Sequence, residues 1–84
     1  MHTHDADVTI AGFSRLSTDP AVCGGRPVIA GTRMRVSDVL EMLASGASEA
    51  EIVQDFPYVT ATDIRSCLAY AAYSADHPIV TAAE

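Results

Sequence analysis

The sequence predicts a mostly α fold, in which a short N-terminal β element precedes a bundle of three helices. Apolar and polar residues roughly alternate between Ile10 and Ser17, which is typical of a short, half-buried strand. From Ser37 onward, three segments show helical spacing of apolar residues, and each has its own start and stop signals. About four residues, 57–60, separate the second and third helices, a length typical of a helix–turn–helix.

The chain of 84 residues predicts one domain, near the lower size limit for an independent hydrophobic core. We expect a flexible N-terminal segment over residues 1–9, a single domain over 10–78 and a tail over 79–84. Small domains often gain stability by association, so a homodimer or a higher oligomer is expected. The chain has no apolar run long enough for a membrane span, no signal pattern and only two cysteines, which indicates a cytoplasmic protein.

The segment before the helices also predicts two shorter strands. Residues 28–29 and 34–36 are apolar or alternating, and the glycine-containing residues 30–32 would form the turn between them. The first helix should then begin at an N-cap residue, Ser37, and end at Gly46.

The last two helices carry capping boxes. Ser48 and Glu51 open the second helix, and Pro57 ends it because the residue before a proline is pushed out of helical geometry. Thr60 and Asp63 open the third, which should run to about residue 76. Its predicted apolar face consists of Ile64, Cys67, Leu68, Ala71 and Ala75.

Charge is distributed unevenly along the chain, whose net charge is −6. Four arginines against three aspartates give residues 1–35 a charge of +1, whereas one arginine against eight acidic residues gives residues 36–84 a charge of −7. The chain has no lysine, so every basic side chain is a guanidinium suited to bidentate pairing. The overall charge disfavours non-specific binding to nucleic acid or to anionic lipid.

The segment 23–36 is the most unusual part of the sequence. It contains three of the five glycines and three of the five basic residues, Arg26, Arg33 and Arg35, without an acidic residue. These arginines could hold a phosphate or a carboxylate, with glycines that let backbone amides approach the anion. Alternatively, the glycines serve tight turns and the arginines pair with the acidic helices.

The third helix is a candidate for DNA recognition, because the second helix of a helix–turn–helix enters the major groove. The side chains expected to be exposed near its start are Thr60, Thr62, Asp63, Arg65 and Ser66. Only one of them is basic, and phosphate contacts normally supply much of the affinity for DNA. The alternative is a compact helical bundle that binds no DNA.

Groups suited to catalysis are scarce, and we expect no enzyme activity, no catalytic residue, no cofactor and no functional metal. Cys67 falls on the apolar helix face and is expected to be a core residue. The N-terminal cluster His2, His4, Asp5 and Asp7 could bind divalent cations, as free clusters of this kind do adventitiously. Tyr70 and Tyr73, which lie off the apolar face, suit a protein interface better than base stacking.

Several of these motifs together resemble the bacterial and archaeal family known as domain of unknown function 433 (DUF433). The matching residues are Asp19-Pro20, the run from Gly24 to Arg33, Val36, Gly46, Glu49 to Ile52, Asp55 to Pro57 and Asp63-Ile64. The resemblance covers about residues 13–75, and the Gly-Arg-Pro…Gly-Thr-Arg string is its most specific part.

The resemblance implies a homeodomain-like or winged helix–turn–helix fold and a role as the antitoxin of a type II toxin–antitoxin system. The implied partner is a PIN-like ribonuclease toxin encoded nearby, with operator DNA as a further partner of the complex. Such nucleases hold metal with clustered carboxylates, and guanidinium groups could occupy that acidic site. Candidate partner-binding residues are Arg26, Arg33, Arg35, Tyr70 and Tyr73.

Two other functions remain open at this point. A DNA-binding regulator without a toxin partner would use the third helix, with Thr60, Thr62, Arg65 and Ser66 as its contacts. A purely structural dimerisation module would bind neither nuclease nor DNA.

Overall fold

The computed structural model describes residues 8–76, in which a three-stranded antiparallel sheet is followed by three helices. The strands are β1 (Val8–Ile10), β2 (Phe13–Thr18) and β3 (Val28–Ile29), in the spatial order β1-β2-β3. The helices are α1 (Val36–Ala44), α2 (Glu49–Asp55) and α3 (Ala61–Ala75), and a short 3₁₀ turn spans Cys23–Gly25. Residues 1–7 of the expected flexible segment and the expected tail over 79–84 lie outside the described part.

The predicted mostly α class is wrong, because the sheet is an integral layer of the domain. Helices account for 49% of the structure and strands for 20%. β2 packs directly on α3, and Leu16 of β2 and Ile29 of β3 belong to the same core as the helices. The helices therefore do not form a self-contained bundle of the homeodomain type, and the fold is α+β. Sequence reasoning underestimated the sheet because its strands are short.

The sheet begins before the predicted domain boundary at residue 10. Val8 lies opposite Thr18 and Thr9 opposite Ser17, so two residues expected in the flexible segment belong to β1. A two-residue connection at 11–12 joins β1 to β2, and Gly12 adopts a φ of +84° there, a conformation that glycine adopts readily. β2 pairs with β3 through Leu16, opposite Ile29.

The predicted strand over 34–36 is also wrong. Arg35 forms a single antiparallel bridge with Val28, and Val36 already begins α1. The N-cap of α1 is consequently Arg35 rather than Ser37. Burial of Met34 and Val36 on either side of the half-buried Arg35 gives the alternation of a strand, although the chain is entering a helix.

The other predicted helix signals are confirmed. The hydroxyl of Ser48 accepts a hydrogen bond from the backbone N of Glu51 at 3.1 Å, and the Glu51 carboxylate accepts one from the backbone N of Ser48 at 2.8 Å. Thr60 and Asp63 form the same reciprocal pair at the start of α3, at 3.1 and 3.0 Å. Gly46, just beyond α1, has a φ of +105°.

A single core lies between the sheet and the helices. It consists of Leu16, Ile29, Met34, Val36, Val39, Ile52, Val59, Ile64 and Cys67. The prediction that Cys67 is a core residue is confirmed. Leu68 was predicted to lie on the same apolar face, but it is 42% exposed, so that part of the prediction is wrong. Val59, in the α2–α3 connection, is fully buried, so this connection is fixed by packing.

Candidate protein-interaction site

The segment 23–36, the Gly-Arg segment, begins with a sharp reversal between β2 and β3. Three successive residues have positive φ: Cys23 at 52°, Gly24 at 67° and Gly25 at 82°. Hydrogen bonds from Val22 N to Asp19 O and from Gly25 N to Val22 O, at 2.8 and 3.0 Å, close the reversal. Consecutive left-handed residues are costly without glycine, which explains the glycine pair here.

The second part is a turn between β3 and α1 that is held by a threonine side chain. The Thr32 hydroxyl donates to Ile29 O at 2.8 Å and accepts from Met34 N at 3.0 Å. Ile29 N also donates to Met34 O at 2.9 Å, and the Cys23 thiol donates to Arg33 O at 3.4 Å. These bonds fix the backbone on both sides of Arg33 while leaving its side chain exposed.

The three arginines of the segment have different environments. The Arg35 guanidinium donates to both carboxylate oxygens of Asp38, with Nη2 2.8 Å from Oδ1 and Nε 3.1 Å from Oδ2. This hydrogen bond lowers the pKa of Asp38 and raises that of Arg35. Arg26 and Arg33, by contrast, are exposed and form no ion pair within residues 8–76. The interpretation that the arginines pair with the acidic helices therefore holds for Arg35, whereas anion binding by Arg26 and Arg33 stays a prediction.

Arg26 lies at an apolar groove between α1 and α3. The groove has a volume of about 510 Å³, and its lining residues are Arg26, Pro27, Val36, Ser37, Leu40, Tyr70, Ala71, Ser74 and Ala75. It therefore brings together two of the predicted partner-binding residues, Arg26 and Tyr70. Arg26 is the only charged residue of this lining.

The two tyrosines of α3 pack against the hairpin formed by β1 and β2. The Phe13 ring lies edge-on to Tyr70 with centroids 5.4 Å apart, and 5.9 Å from the Tyr73 ring. Tyr70 is half-buried and Tyr73 is 57% exposed. Both side chains thus support the fold on one side and offer apolar area to a partner on the other.

The residues predicted to contact DNA are divided between two roles. Thr62, Arg65 and Ser66 line a shallow hollow together with Ser14 and Arg15 of β2. Thr60 serves as the N-cap of α3.

Asp63 does not have the exposed position that was expected for it. It is 5% exposed, and its Oδ1 lies 3.0 Å from Nη1 of Arg15. The pair joins residues 48 positions apart, so local sequence patterns contained no signal for it.

The Cys67 thiol lies in the core of the described part of the chain. Burial, together with the nearby Asp63 carboxylate, raises the pKa of the Cys67 thiol to about 11, which disfavours the thiolate. No group of three or more metal-ligating side chains occurs between residues 8 and 76. His2, His4, Asp5, Asp7 and His77 lie outside this range. No helix in it is long and apolar enough to cross a membrane.

The Gly-Arg segment and the helices that follow it lie within the part of the chain that matches a known sequence family. Residues 16–71 match the family described as protein of unknown function (DUF433). The chain belongs to the DUF433 family. The match covers the second half of β2, the Gly-Arg segment, α1, α2 and all but the last four residues of α3.

Two solved structures resemble this DUF433 chain. One is a DUF433 member protein from Anabaena variabilis, with a TM-score of 0.70 and 27% identity over 74% of this chain and 61% of that one. The other is Rv2018 from Mycobacterium tuberculosis, with a TM-score of 0.58 and 35% identity over 68% of this chain and 26% of that one. The chain thus spans less than two thirds of either structure. No curated protein matches it.

Proposed function

We propose that this DUF433 chain is the antitoxin of a type II toxin–antitoxin pair and neutralises a PIN-like ribonuclease by direct binding. Arg33 is the residue proposed to enter the acidic metal site of the nuclease. The observation that carries the proposal is the turn at residues 29–34, whose hydrogen bonds fix the backbone around an exposed arginine without an ion pair among residues 8–76.

Pre-organisation is what makes such a residue effective in binding. A guanidinium matches the geometry of a carboxylate and binds it bidentately. Because the Arg33 backbone is already fixed, less conformational entropy is lost when its side chain meets a partner. The same argument disfavours Arg35, since its guanidinium would first have to leave Asp38. Arg26 lies at an apolar groove, a surface of different chemistry.

The acidic character of the rest of the chain supports the same partner class. A nuclease that binds RNA presents a basic surface around its acidic metal site. A protein with a net charge of −6 and an exposed arginine on a fixed turn complements both regions at once.

The test uses the nuclease encoded beside this chain and a labelled RNA substrate. Arg33→Ala should raise the antitoxin concentration needed for half-inhibition by about tenfold or more, because a charge-assisted contact is lost. Arg33→Lys should be intermediate, since it keeps the charge and loses the bidentate geometry. Arg65→Ala is the matched control, because Arg65 is also exposed and lies on α3, and it should inhibit like the parent.

The outcomes separate the role of the arginine from the role of the protein. If Arg33→Ala inhibits as well as the parent, the proposed contact of Arg33 with the acidic site is wrong. If the parent neither binds nor inhibits the nuclease, the antitoxin proposal itself fails.

A second candidate function is operator binding, alone or as a complex with the toxin. The observation that favours it is the hollow where the exposed Arg65 lies with three hydroxyl side chains, Ser14, Thr62 and Ser66. Arg15 also lines this hollow, although its guanidinium pairs with Asp63. Such a set suits phosphate oxygens. A gel shift with the promoter of its own operon should show affinity that falls steeply with salt and is weakened by Arg65→Ala. Binding unaffected by this variant would contradict the assignment.

A further inference from the structure

The second half of α3 is unusual because it carries no charge. Residues 66–75 are ten consecutive uncharged residues, of which four are alanines and two are tyrosines. Leu68 and Tyr73 are 42% and 57% exposed, and Ala69, Ala72 and Ala75 are exposed as well. A helix without a polar face is normally buried on all sides. Among residues 8–76, however, only one side of α3 is covered by the core.

The apolar groove lies along the same half of the helix. Tyr70, Ala71, Ser74 and Ala75 form its α3 wall, and the first turns of α1 form the other wall. Arg26 contributes its one charge and has no ion pair among the described residues. A helix that is uncharged where it contacts this lining and carries a carboxylate near Arg26 would complement the groove.

We infer that the occupant is a second copy of this chain, so that each copy places the uncharged half of its α3 in the groove of the other. The helix fits these requirements. Its uncharged stretch ends at Ala75, and the next residue, Asp76, is exposed and has no ion pair in the described structure. In the inferred dimer Arg26 of each copy lies opposite Asp76 of the other, and the two-fold axis makes this contact occur twice.

The alanines explain how two such helices can approach. Interaxial distances between packed helices depend on the side chains at the contact, and small residues permit the shorter ones. Each copy has a net charge of −6, which opposes association. Two copies are therefore expected to meet through an uncharged face at which each Arg26 can pair with an acidic side chain. Arg33 does not line the groove, so this dimer is independent of the proposed nuclease contact.

Sedimentation equilibrium of the full chain over about 1–200 µM tests the inference (a range that brackets micromolar affinities). The parent should have twice the 8.8 kDa mass of one chain at high concentration. Arg26→Glu and Asp76→Arg should each raise the dissociation constant by about tenfold or more, because each places like charges opposite one another twice. Asp76→Arg should not weaken the helix, since a basic residue is favourable at a helix C-terminus.

Mixing the two variants is the decisive step. A heterodimer of Arg26→Glu with Asp76→Arg restores both charge pairs, so the mixture should dimerise like the parent although neither variant does so alone. Arg33→Glu is the matched control, because it changes the charge of a neighbouring exposed arginine equally and should leave the dissociation constant unchanged. Circular dichroism establishes that each variant is folded.

Three results would overturn the inference. A parent that is monomeric at the highest concentration would show that no second copy occupies the groove. A mixture that stays monomeric would show that Arg26 and Asp76 do not face each other across copies. If Arg33→Glu raised the dissociation constant as much as Arg26→Glu, the effect would come from the net charge of the chain and not from the position of Arg26.

Discussion

Asp63 takes part in two separate interactions at the start of α3. Its carboxylate accepts the hydrogen bond from Thr60 N and pairs with Arg15 of β2, so it joins the N-cap of the helix to the sheet. At 5% exposure it is also one of the two polar residues buried among residues 8–76. A charge at such a position is stable only while both partners are present.

Asp63→Ala should therefore lower the free energy of unfolding by about 2 kcal/mol. The substitution removes both the capping hydrogen bond from Thr60 N and the hydrogen bond from Arg15. Urea denaturation followed by circular dichroism measures this. Glu51→Ala is the matched control, because Glu51 has the same role in an exposed capping box, and it should cost less than about 1 kcal/mol. Equal losses for the two variants would show that the contact with Arg15 contributes nothing.

The two cysteines should differ in reactivity. Cys67 is fully buried, and burial raises its pKa to about 11, so only about one thousandth of it is thiolate at pH 8. Cys23 is half-buried in a surface turn. A disulfide reagent at pH 8 should therefore modify one thiol per native chain rapidly and the second only as the chain unfolds. Rapid modification of native Cys23→Ser would contradict this.

At the scale of the element, α1 depends on the ion pair between Arg35 and Asp38 at its first turn. Because the folded pKa of Asp38 is lowered, its stabilising contribution is complete above the unfolded pKa of about 3.9. The contribution is lost as the pH falls through the folded value. Protonation removes the negative charge that Arg35 and the helix N-terminus both favour.

The expected result is that Asp38→Asn destabilises the protein at pH 7 and has progressively less effect below about pH 4. Unfolding in urea at a series of pH values gives the difference between variant and parent. Glu41→Gln, an exposed neighbour whose side chain forms no hydrogen bond in the described structure, should show no such convergence. A difference for Asp38→Asn that stays constant from pH 7 to pH 3 would rule out the ion pair as its source.

At the scale of the whole molecule, one small core holds the sheet and the helices together. Ile64 is fully buried in it, whereas Leu68, one turn further along α3, is 42% exposed. Ile64→Ala should cost about 3–4 kcal/mol, a large part of the stability of a domain of this size. Leu68→Ala should cost less than about 1 kcal/mol in dilute solution. Comparable losses in thermal unfolding would mean that α3 is rotated relative to the described core.

This comparison also illustrates what the sequence could predict. The capping boxes of α2 and α3 are local, because both partners of each lie within four residues, and they were predicted correctly. Helical periodicity placed Ile64, Cys67 and Leu68 on one face, but only packing against β2 decides where that face ends. The recurring Gly-Arg string identified the family without indicating the role of each arginine.

The candidate site depends on contacts that local patterns do not contain. Arg26 and Tyr70 meet at one groove although 44 positions separate them in the sequence, and Arg15 reaches Asp63 across 48. Arg35 is the N-cap of α1 and pairs with Asp38, whereas Arg33 precedes the helix and is exposed. The predicted N-cap was Ser37, two residues too late, so this difference could not be foreseen. The arginines could therefore be identified as a group but not distinguished.

The contact between β2 and α3 has a consequence for biosynthesis. The strand leaves the ribosome early, but the helix that covers Leu16, Phe13 and Arg15 is the last element of the described chain to be made. At about 5–20 residues per second, the apolar face of the hairpin stays uncovered until the residues of α3 have been made and have left the ribosome. A chain terminated before α3 consequently lacks two of the nine core residues, Ile64 and Cys67, together with the helix that covers β2, and it should be proteolysed more readily than the full chain.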